Sequence, residues 1–323
     1  MIEEIIFLTG LPKSGITLLN AALACHPEIA VSQNSELFNI ISAIRTEVSK
    51  EMPFSLGMAK NTMLHYKKIE NSTRAFIQAW SENSKKITVD ENYAWLRNIE
   101  LISSIFPNFK IIVCISDLRQ VYAALEKKHR ETLLIKYNEE ISSDVISKRF
   151  DDFFSKDGLI GKQISGILNL KNFPNISDHL FVFRYEDLIS NFDLSMDLLF
   201  NWMGVEKQKL TLKNIIKTLS QGNYQSNPKT GDLFDGNPDY LDFSNLIYPS
   251  KNIFDAIFTK NEWFFREYYP EYIKTEQTRM GPAGQPPLNP YIPVPNEIES
   301  KIAEEIEKEL SKQIEKELSG KKK

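Results

Sequence analysis

A short apolar strand that runs directly into a glycine-containing loop limits most strongly what this chain can fold into. Residues Ile5–Leu8 form the apolar run, Thr9–Thr17 follow with two glycines, and helical residues begin at Leu18. Such a turn leaves backbone N–H groups unbonded at the start of a helix, where the helix dipole adds partial positive charge. The sequence therefore predicts a phosphate-binding loop, to which Lys13 adds a cationic side chain.

Short apolar runs continue to alternate with helical stretches after this loop. The further strands predicted by apolar content and flanking turn signals are Ile87–Val89, Lys110–Ile115 and Leu180–Phe183. The helices predicted by periodicity are Leu18–Cys25, Leu37–Ile44, Ile69–Ser81, Leu96–Ile105, Val121–Lys128, Asp187–Met203 and Phe254–Tyr269. We expect Gly204 to end the helix before it. The alternation predicts an α/β fold of three layers, with a central, mainly parallel sheet.

Composition limits the classes of partner. The formal net charge is −4, and no basic stripe is concentrated enough to favour a nucleic acid partner. No run approaches the roughly twenty apolar residues that a membrane helix needs. Because a strand begins at once at Glu3–Leu8, in place of a charged leader and an apolar stretch, we expect a cytoplasmic location without a membrane partner.

Cysteines and histidines give no sign of a metal site. Cys25 and Cys114 are both flanked by apolar residues, and we expect two buried thiols in a reducing compartment. The four histidines lack the spacing of metal ligands. We therefore expect no metal cofactor.

The end of the chain differs in composition from the rest. Six of the fifteen residues in Gly281–Pro295 are prolines, which predicts an extended linker. Beyond it, an apolar residue recurs every four positions among Glu and Lys, which predicts a charged amphipathic helix whose apolar line winds around its axis. We expect a folded domain over 1–275, a Pro-rich linker over 276–296 and a helical tail over 297–323. Residues 297–318 are a candidate for self-association or for binding a protein partner.

The glycine loop resembles one enzyme family in particular. Gly10 and Gly15 have the separation found in a Walker A loop, but Ile16 occupies the position of its lysine. This argues against an ordinary ATPase or GTPase and weakens the case for a nucleoside-phosphate kinase. Residues Pro12–Leu18 instead resemble the P-[KR]-S-G-[TS]-T-[LW] loop of PAPS-dependent sulfotransferases, which binds the 5′-phosphate and the adjacent sulfuryl group of 3′-phosphoadenosine 5′-phosphosulfate (PAPS).

Three more segments are similar to the same family in the same order. Leu23–Ile29 resembles the end of its first helix, Asn108–Arg119 its 3′-phosphate strand, and Phe183–Leu188 its "[VY]-R-Y-E-D-L" element. The resemblance covers about residues 4 to 205, with a weaker continuation to about 273. It implies a P-loop NTPase-like fold, PAPS as donor and a hydroxyl- or amine-bearing acceptor, such as a carbohydrate, a peptide or a small molecule. The donor-binding residues it implies are Lys13, Ser14, Gly15, Ile16, Thr17, Leu18, Ser116, Ala124, Lys128 and Tyr185.

The predicted 3′-phosphate site departs from the family pattern. Ser116 and Ala124 stand where relatives usually have an arginine and a serine. Arg119, Lys127 or Lys128 could supply the missing charge one helical turn further on. Glu91 stands where relatives tend to place a lysine that helps the sulfuryl oxygens, which it would repel.

The chemistry requires a cation at the leaving group and a base at the acceptor. The resemblance gives Lys13 the first role, and Glu36 is our first candidate for the second, ahead of Asp90 and Glu91. A plain charge at the start of a helix is an equally good explanation of Glu36. We expect a sulfotransferase; the alternative is a catalytically degenerate relative that binds a partner through its tail. The loops expected to select the acceptor are Glu47–Lys68 and Gln221–Asp242.

Overall fold

A computed structural model describes residues 4–51, 59–81, 85–131, 143–215 and 251–272. The chain divides into two compact units. The first contains Met1–Tyr122 and Tyr137–Phe234, and the second contains Ala123–Lys136 and Asp235–Lys323. The predicted linker and tail, 276–296 and 297–323, lie outside the described residues, as does the Gln221–Asp242 segment.

A five-stranded parallel sheet forms the centre of the first unit, in the order β2-β3-β1-β4-β5. Its strands are β1 (Glu4–Gly10), β2 (Ile29–Ser32), β3 (Ile87–Glu91), β4 (Lys110–Ile115) and β5 (Leu180–Arg184). The middle strands are almost entirely buried, as apolar runs between two helical layers should be. The prediction of an α/β fold with a mainly parallel sheet is confirmed.

Helices connect the strands of the first unit. They are α1 (Ile16–Ala24), α2 (Leu37–Glu51), α3 (Ala59–Trp80), α4 (Ile99–Ile105), α5 (Leu118–Glu131), α6 (Ser143–Phe154), α7 (Gly161–Lys171), α8 (Tyr185–Ser190) and α9 (Phe192–Met203). Helix α5 crosses from the first unit into the second after Tyr122. Short 3₁₀ turns occupy Tyr93–Arg97 and Ile176–Asp178.

The second unit contributes α10 (Lys251–Lys260) and α11 (Glu262–Tyr268) to the described residues. We predicted one aromatic helix over Phe254–Tyr269, but Asn261 separates two helices there. Its side-chain amide donates to the Ile257 carbonyl at 2.9 Å and so binds a terminal carbonyl of α10. Phe264, Phe265 and Tyr269 are fully buried.

One further helix prediction and one loop prediction differ from the structure. The single helix over Asp187–Met203 is two helices, α8 and α9, which meet at Asn191. Gly204 does end the second one, in the left-handed region at φ 76°. The segment Glu47–Lys68, expected to be a loop, is helical over Glu47–Glu51 and from Ala59 onward.

The two cysteines differ in exposure. Cys114 is buried in β4, whereas Cys25 is exposed at the end of α1, so the prediction of two buried thiols is wrong for Cys25. Apolar neighbours in sequence did not bury it because the helix ends there. Among the helices that the structure describes, none has both the length and the apolar character needed to span a membrane.

Candidate nucleotide site

Where the glycine loop begins, at the end of β1, its backbone lies in close contact with the backbone of β4. Gly10 lies beside Cys114 in the strand register, and the Leu11 amide donates to the Cys114 carbonyl at 2.9 Å. A Cβ atom on Gly10 would lie 2.1 Å from the same carbonyl oxygen, so only glycine permits the approach. The contact fixes where the loop begins.

The loop then turns back toward the start of α1. The Ser14 hydroxyl donates to the Leu11 carbonyl at 2.6 Å, and Lys13 adopts a left-handed backbone at φ 61°. Gly15 is also left-handed, at φ 80°, and α1 begins at Ile16. In the described part of the chain, no side chain caps this helix start and no acidic residue lies in its first turn. The amides at this end are therefore not bonded by a side-chain cap from the described residues, an arrangement that suits an anion, and phosphate binding here stays a prediction.

The residues predicted to form the phosphate cradle differ in their access to solvent. Lys13 and Thr17 are partly exposed and can reach a ligand, whereas Ser14, Gly15, Ile16 and Leu18 are buried. Because Ser14 already donates its hydroxyl proton within the loop, its first role is to hold the loop in shape. The cradle would bind a phosphate mainly through backbone N–H groups and the Lys13 ammonium.

Tyr185, which is far from the loop in sequence, packs against it in the fold. It starts α8 directly after β5, and its ring is buried. The ring atom Cδ2 would lie 2.4 Å from a Cβ on Gly15. The structure thus brings two predicted site residues into contact, and Gly15 is required both for its backbone angle and for the space that the tyrosine ring occupies.

A buried carboxylate at the end of β3 joins α1 to the turn after β2. Glu91 Oε2 accepts from Asn20 Nδ2 at 2.6 Å and from the Asn34 amide at 3.3 Å. Its carbonyl accepts from the Ser35 amide at 2.9 Å. Burial raises the pKa of the Cys114 thiol, and the negative charge of Glu91 adds to the shift. The Glu91 carboxylate is therefore part of the framework beneath the loop.

Asp90 lies one residue earlier on β3 and is fully buried. Its Oδ1 accepts from the indole Nε1 of Trp95 at 2.7 Å. Burial raises the pKa of Asp90 to about 6, although hydrogen bonds from Ser35 and Trp95 oppose the shift. A carboxyl with this pKa is suited to accept a proton near neutral pH, but in this structure it is enclosed.

Glu36, the first candidate base, is exposed just before α2. Its Oε2 accepts from Asn39 Nδ2 at 2.6 Å. The neighbouring Ser35, whose amide bonds a carbonyl at the end of β3, has two further contacts: its hydroxyl accepts from the Leu37 amide at 3.0 Å, and its carbonyl accepts from Asn92 Nδ2 at 2.8 Å. Glu36 thus combines an accessible carboxylate with a well-anchored backbone.

The end of β4 contains a hydrogen-bond network that involves Ser116. The Ser116 hydroxyl donates to Glu186 Oε1 at 2.8 Å, and the Asp117 amide donates to the same oxygen at 2.9 Å. Arg119 Nε donates to Asp117 Oδ1 at 2.9 Å, and its terminal nitrogen also bonds that carboxylate. Burial raises the pKa of Glu186, and the negative charge of Asp117 adds to the shift.

The other predicted 3′-phosphate residues lie further along α5. Ala124 and Lys128 are partly exposed positions of that helix, in its portion assigned to the second unit. Their roles in ligand binding stay predictions. Arg119, one of the expected substitutes for the missing arginine, has its guanidinium committed to Asp117.

Sequence reasoning missed several residues of this region. Asn20 lies on the buried face of α1, among apolar residues. No feature of the neighbouring sequence indicates that its side chain donates to Glu91. Trp95, whose indole donates to Asp90, was not singled out from the sequence. Glu186 was noted within its motif, but its link to Ser116 joins β4 to α8 and has no local signal.

The fold and the loop define an α/β protein with a parallel central sheet and a glycine turn from β1 to α1, and comparison with known proteins gives its family. The chain belongs to the Sulfotransferase family, whose model matches residues 5–209. Over 155 residues it is 24% identical to a Caenorhabditis briggsae protein named "Putative protein-tyrosine sulfotransferase"; the match covers 43% of this chain and 52% of that protein. The chain thus spans about half the length of this curated relative.

Solved structures of sulfotransferases are similar as well. A sulfotransferase domain from the curacin biosynthetic pathway is 18% identical with a TM-score of 0.47, over 80% of this chain and 97% of that one. Mouse sulfotransferase SULT7A1, complexed with PAP, is 15% identical with a TM-score of 0.49, over 85% of this chain and 89% of that one.

Replacing Gly15 by alanine should abolish nucleotide binding. The new methyl group would collide with the Tyr185 ring, and the left-handed backbone would be strained, so the loop must change shape. Isothermal titration with adenosine 3′,5′-bisphosphate (PAP) measures the effect. Gly204→Ala is the matched control, because it has a similar φ of 76° with open space around its Cβ position. Equal affinity in the Gly15→Ala and control proteins would contradict the loop geometry described above.

Asp90 should make folding stability depend on pH in an unusual direction. Its folded-state pKa, about 6, lies above the ordinary value of about 4, so the folded protein binds the proton more tightly than the unfolded chain. The stabilising contribution is complete below about pH 4 and is lost as pH rises through about 6. Between pH 4 and pH 7, the free energy of unfolding of the wild type should fall by about 2–3 kcal/mol more than that of Asp90→Asn. Urea unfolding at the two pH values measures this difference. Parallel pH profiles for the two proteins would refute this assignment.

Proposed function

We propose that this protein is a sulfotransferase that moves a sulfuryl group from PAPS to a hydroxyl or amine of an acceptor. The single observation that supports this most is the loop: an uncapped helix start behind two left-handed residues, with the Lys13 side chain at its edge. Membership of the Sulfotransferase family supports the same reaction class. The acceptor class remains open among carbohydrates, peptides and small molecules.

The residues present fit an adenosine phosphosulfate. Among the described residues, no side chain caps the start of α1 and no acidic residue lies in its first turn, so the backbone amides there are suited to an anion. PAPS supplies an activated sulfuryl group whose bond to the bridging phosphate oxygen breaks when the acceptor oxygen or nitrogen bonds to sulfur. Catalysis then requires charge stabilisation at the bridging oxygen and removal of one proton from the acceptor.

Lys13 and the start of α1 would perform the first task. The ammonium group and the helix amides hold positive charge where the leaving phosphate becomes more negative, and neither has to be reorganised during the reaction. Thr17, partly exposed on the first turn, can donate its hydroxyl to the same phosphate. Tyr185 would keep the loop in its binding shape.

Glu36 would perform the second task. Its carboxylate is exposed, and its backbone follows Ser35, which is anchored to both Asn92 and the start of α2. Asp90 has the pKa better matched to neutral pH but is enclosed, and the Glu91 carboxylate is bonded to Asn20 and Asn34. Accessibility therefore favours Glu36 as the general base.

The donor site can be tested by titrating PAP into wild-type protein and Lys13→Ala. We expect micromolar binding to the wild type and a loss of about 10- to 100-fold in the variant, because a charge-assisted contact to phosphate is removed. Lys156→Ala, which removes an exposed lysine from the turn after α6, is the control for a change in total charge. Absence of PAP binding to wild-type protein at millimolar ligand would overturn the proposed function and favour a degenerate relative.

Glu36→Gln tests the base once an acceptor screen, read out as PAP release from PAPS, has found a substrate. We expect kcat to fall by about 10²- to 10⁴-fold, with PAP affinity unchanged, because the variant keeps the shape of the side chain and loses its basicity. Asn39→Ala, which removes only the hydrogen-bond donor to Glu36, is the control and should have a small effect. A full rate in Glu36→Gln with a large loss in Asp90→Asn would transfer the role to Asp90.

A further inference from the structure

The ends of β4 and β5 place two carboxylates next to each other, one strand away from the phosphate loop. Glu186 follows β5 and Asp117 follows β4, and the Asp117 amide donates to Glu186 Oε1 at 2.9 Å. The two groups are close enough that the charge of Asp117 helps to raise the pKa of Glu186. Strand β4 lies beside β1, from which the phosphate loop starts.

Two hydrogen-bond donors at this edge, the side chains of Ser116 and Arg119, are already engaged within the protein. Ser116 is buried and gives its hydroxyl proton to Glu186 at 2.8 Å. Arg119 bonds Asp117 through Nε at 2.9 and 3.1 Å, through its terminal nitrogen and through its backbone amide. Using either side chain for a phosphate would require breaking a bond to a carboxylate and would leave that carboxylate less well compensated.

The charge pattern along the strand ends is therefore uneven. The end of β1 has Lys13 and the positive start of α1, whereas the ends of β4 and β5 have three carboxylates and two guanidinium groups. Arg119 is engaged by Asp117, and Arg184 pairs with Asp187 at 3.4 Å. A nucleotide lying across these strand ends meets a favourable site for one phosphate and an unfavourable one for a second. In dinucleotide-binding folds the same choice is made by residue type: an acidic residue accepts a ribose hydroxyl, and an arginine accepts a ribose phosphate.

We propose that the protein binds its donor through the adenosine 5′-phosphosulfate portion alone, and that the ribose 3′-phosphate adds no affinity. This inference rests on the proposed function, because it assumes that the nucleotide occupies the loop and extends over β4. Adenosine 5′-phosphosulfate, which has a 3′-hydroxyl, would then bind as well as PAPS. The structural basis is the Ser116–Glu186 bond together with the Asp117–Arg119 pair.

Titration of PAP and of adenosine 5′-monophosphate into the full chain tests this directly, because the two ligands differ only in the 3′-phosphate. We expect dissociation constants within about threefold of each other, or tighter binding of the monophosphate. Binding of PAP more than about tenfold tighter would overturn the inference, while leaving the proposed function intact if both ligands depend on Lys13. Failure of both ligands to bind would overturn the proposed function and the inference with it.

Glu186→Gln tests the electrostatic cause. The glutamine oxygen can still accept from Ser116 and from the Asp117 amide, but one negative charge is removed. We expect PAP to bind about five- to tenfold tighter and the monophosphate to change by less than about twofold. Asp193→Asn, the control, removes an exposed charge from the first turn of α9 and should change both affinities equally. An equal response of both ligands to Glu186→Gln would refute the role of this carboxylate.

Discussion

The close contact between Gly10 of β1 and Cys114 of β4 determines the arrangement of the proposed site. The absence of a side chain at Gly10 lets the Leu11 amide reach the Cys114 carbonyl, and this bond sets the direction in which the loop leaves the sheet. The left-handed residues Lys13 and Gly15 then return the chain to α1. Because the contact is between backbone atoms, a larger residue at Gly10 cannot be accommodated by rotating a side chain.

A second level of order comes from carboxylates buried at the strand ends. Glu91 joins α1 to the turn after β2, and Glu186 joins the end of β4 to α8. Each accepts from a side chain and from a backbone amide, so each reduces the cost of its own burial while fixing two elements at once. The carboxyl ends of β3, β4 and β5 are therefore organised by these buried acids.

The sequence predicted what depends on local pattern. Four of the five strands were found within a few residues, since apolar runs between turn signals are short-range features, while Ile29–Ser32 was missed because four residues give little pattern. The loop at 9–17 was recognised because its glycines and hydroxyls are adjacent in the chain. The bond from Ser116 to Glu186 and the bond from Asn20 to Glu91 join distant segments, and no local pattern predicts them. The breaks at Asn191 and Asn261 were missed because apolar periodicity continues across both residues.

The phosphate loop is continuous in sequence, yet its shape depends on residues that are synthesised much later. Cys114 provides the carbonyl that holds Leu11, and Tyr185 provides the ring that packs on Gly15. A nascent chain that ends before β5 would contain the complete loop sequence but not its packing partners. If the proposed function holds, nucleotide binding during synthesis would therefore begin only after α8 has emerged from the ribosome, and a bound nucleotide would stabilise the finished domain.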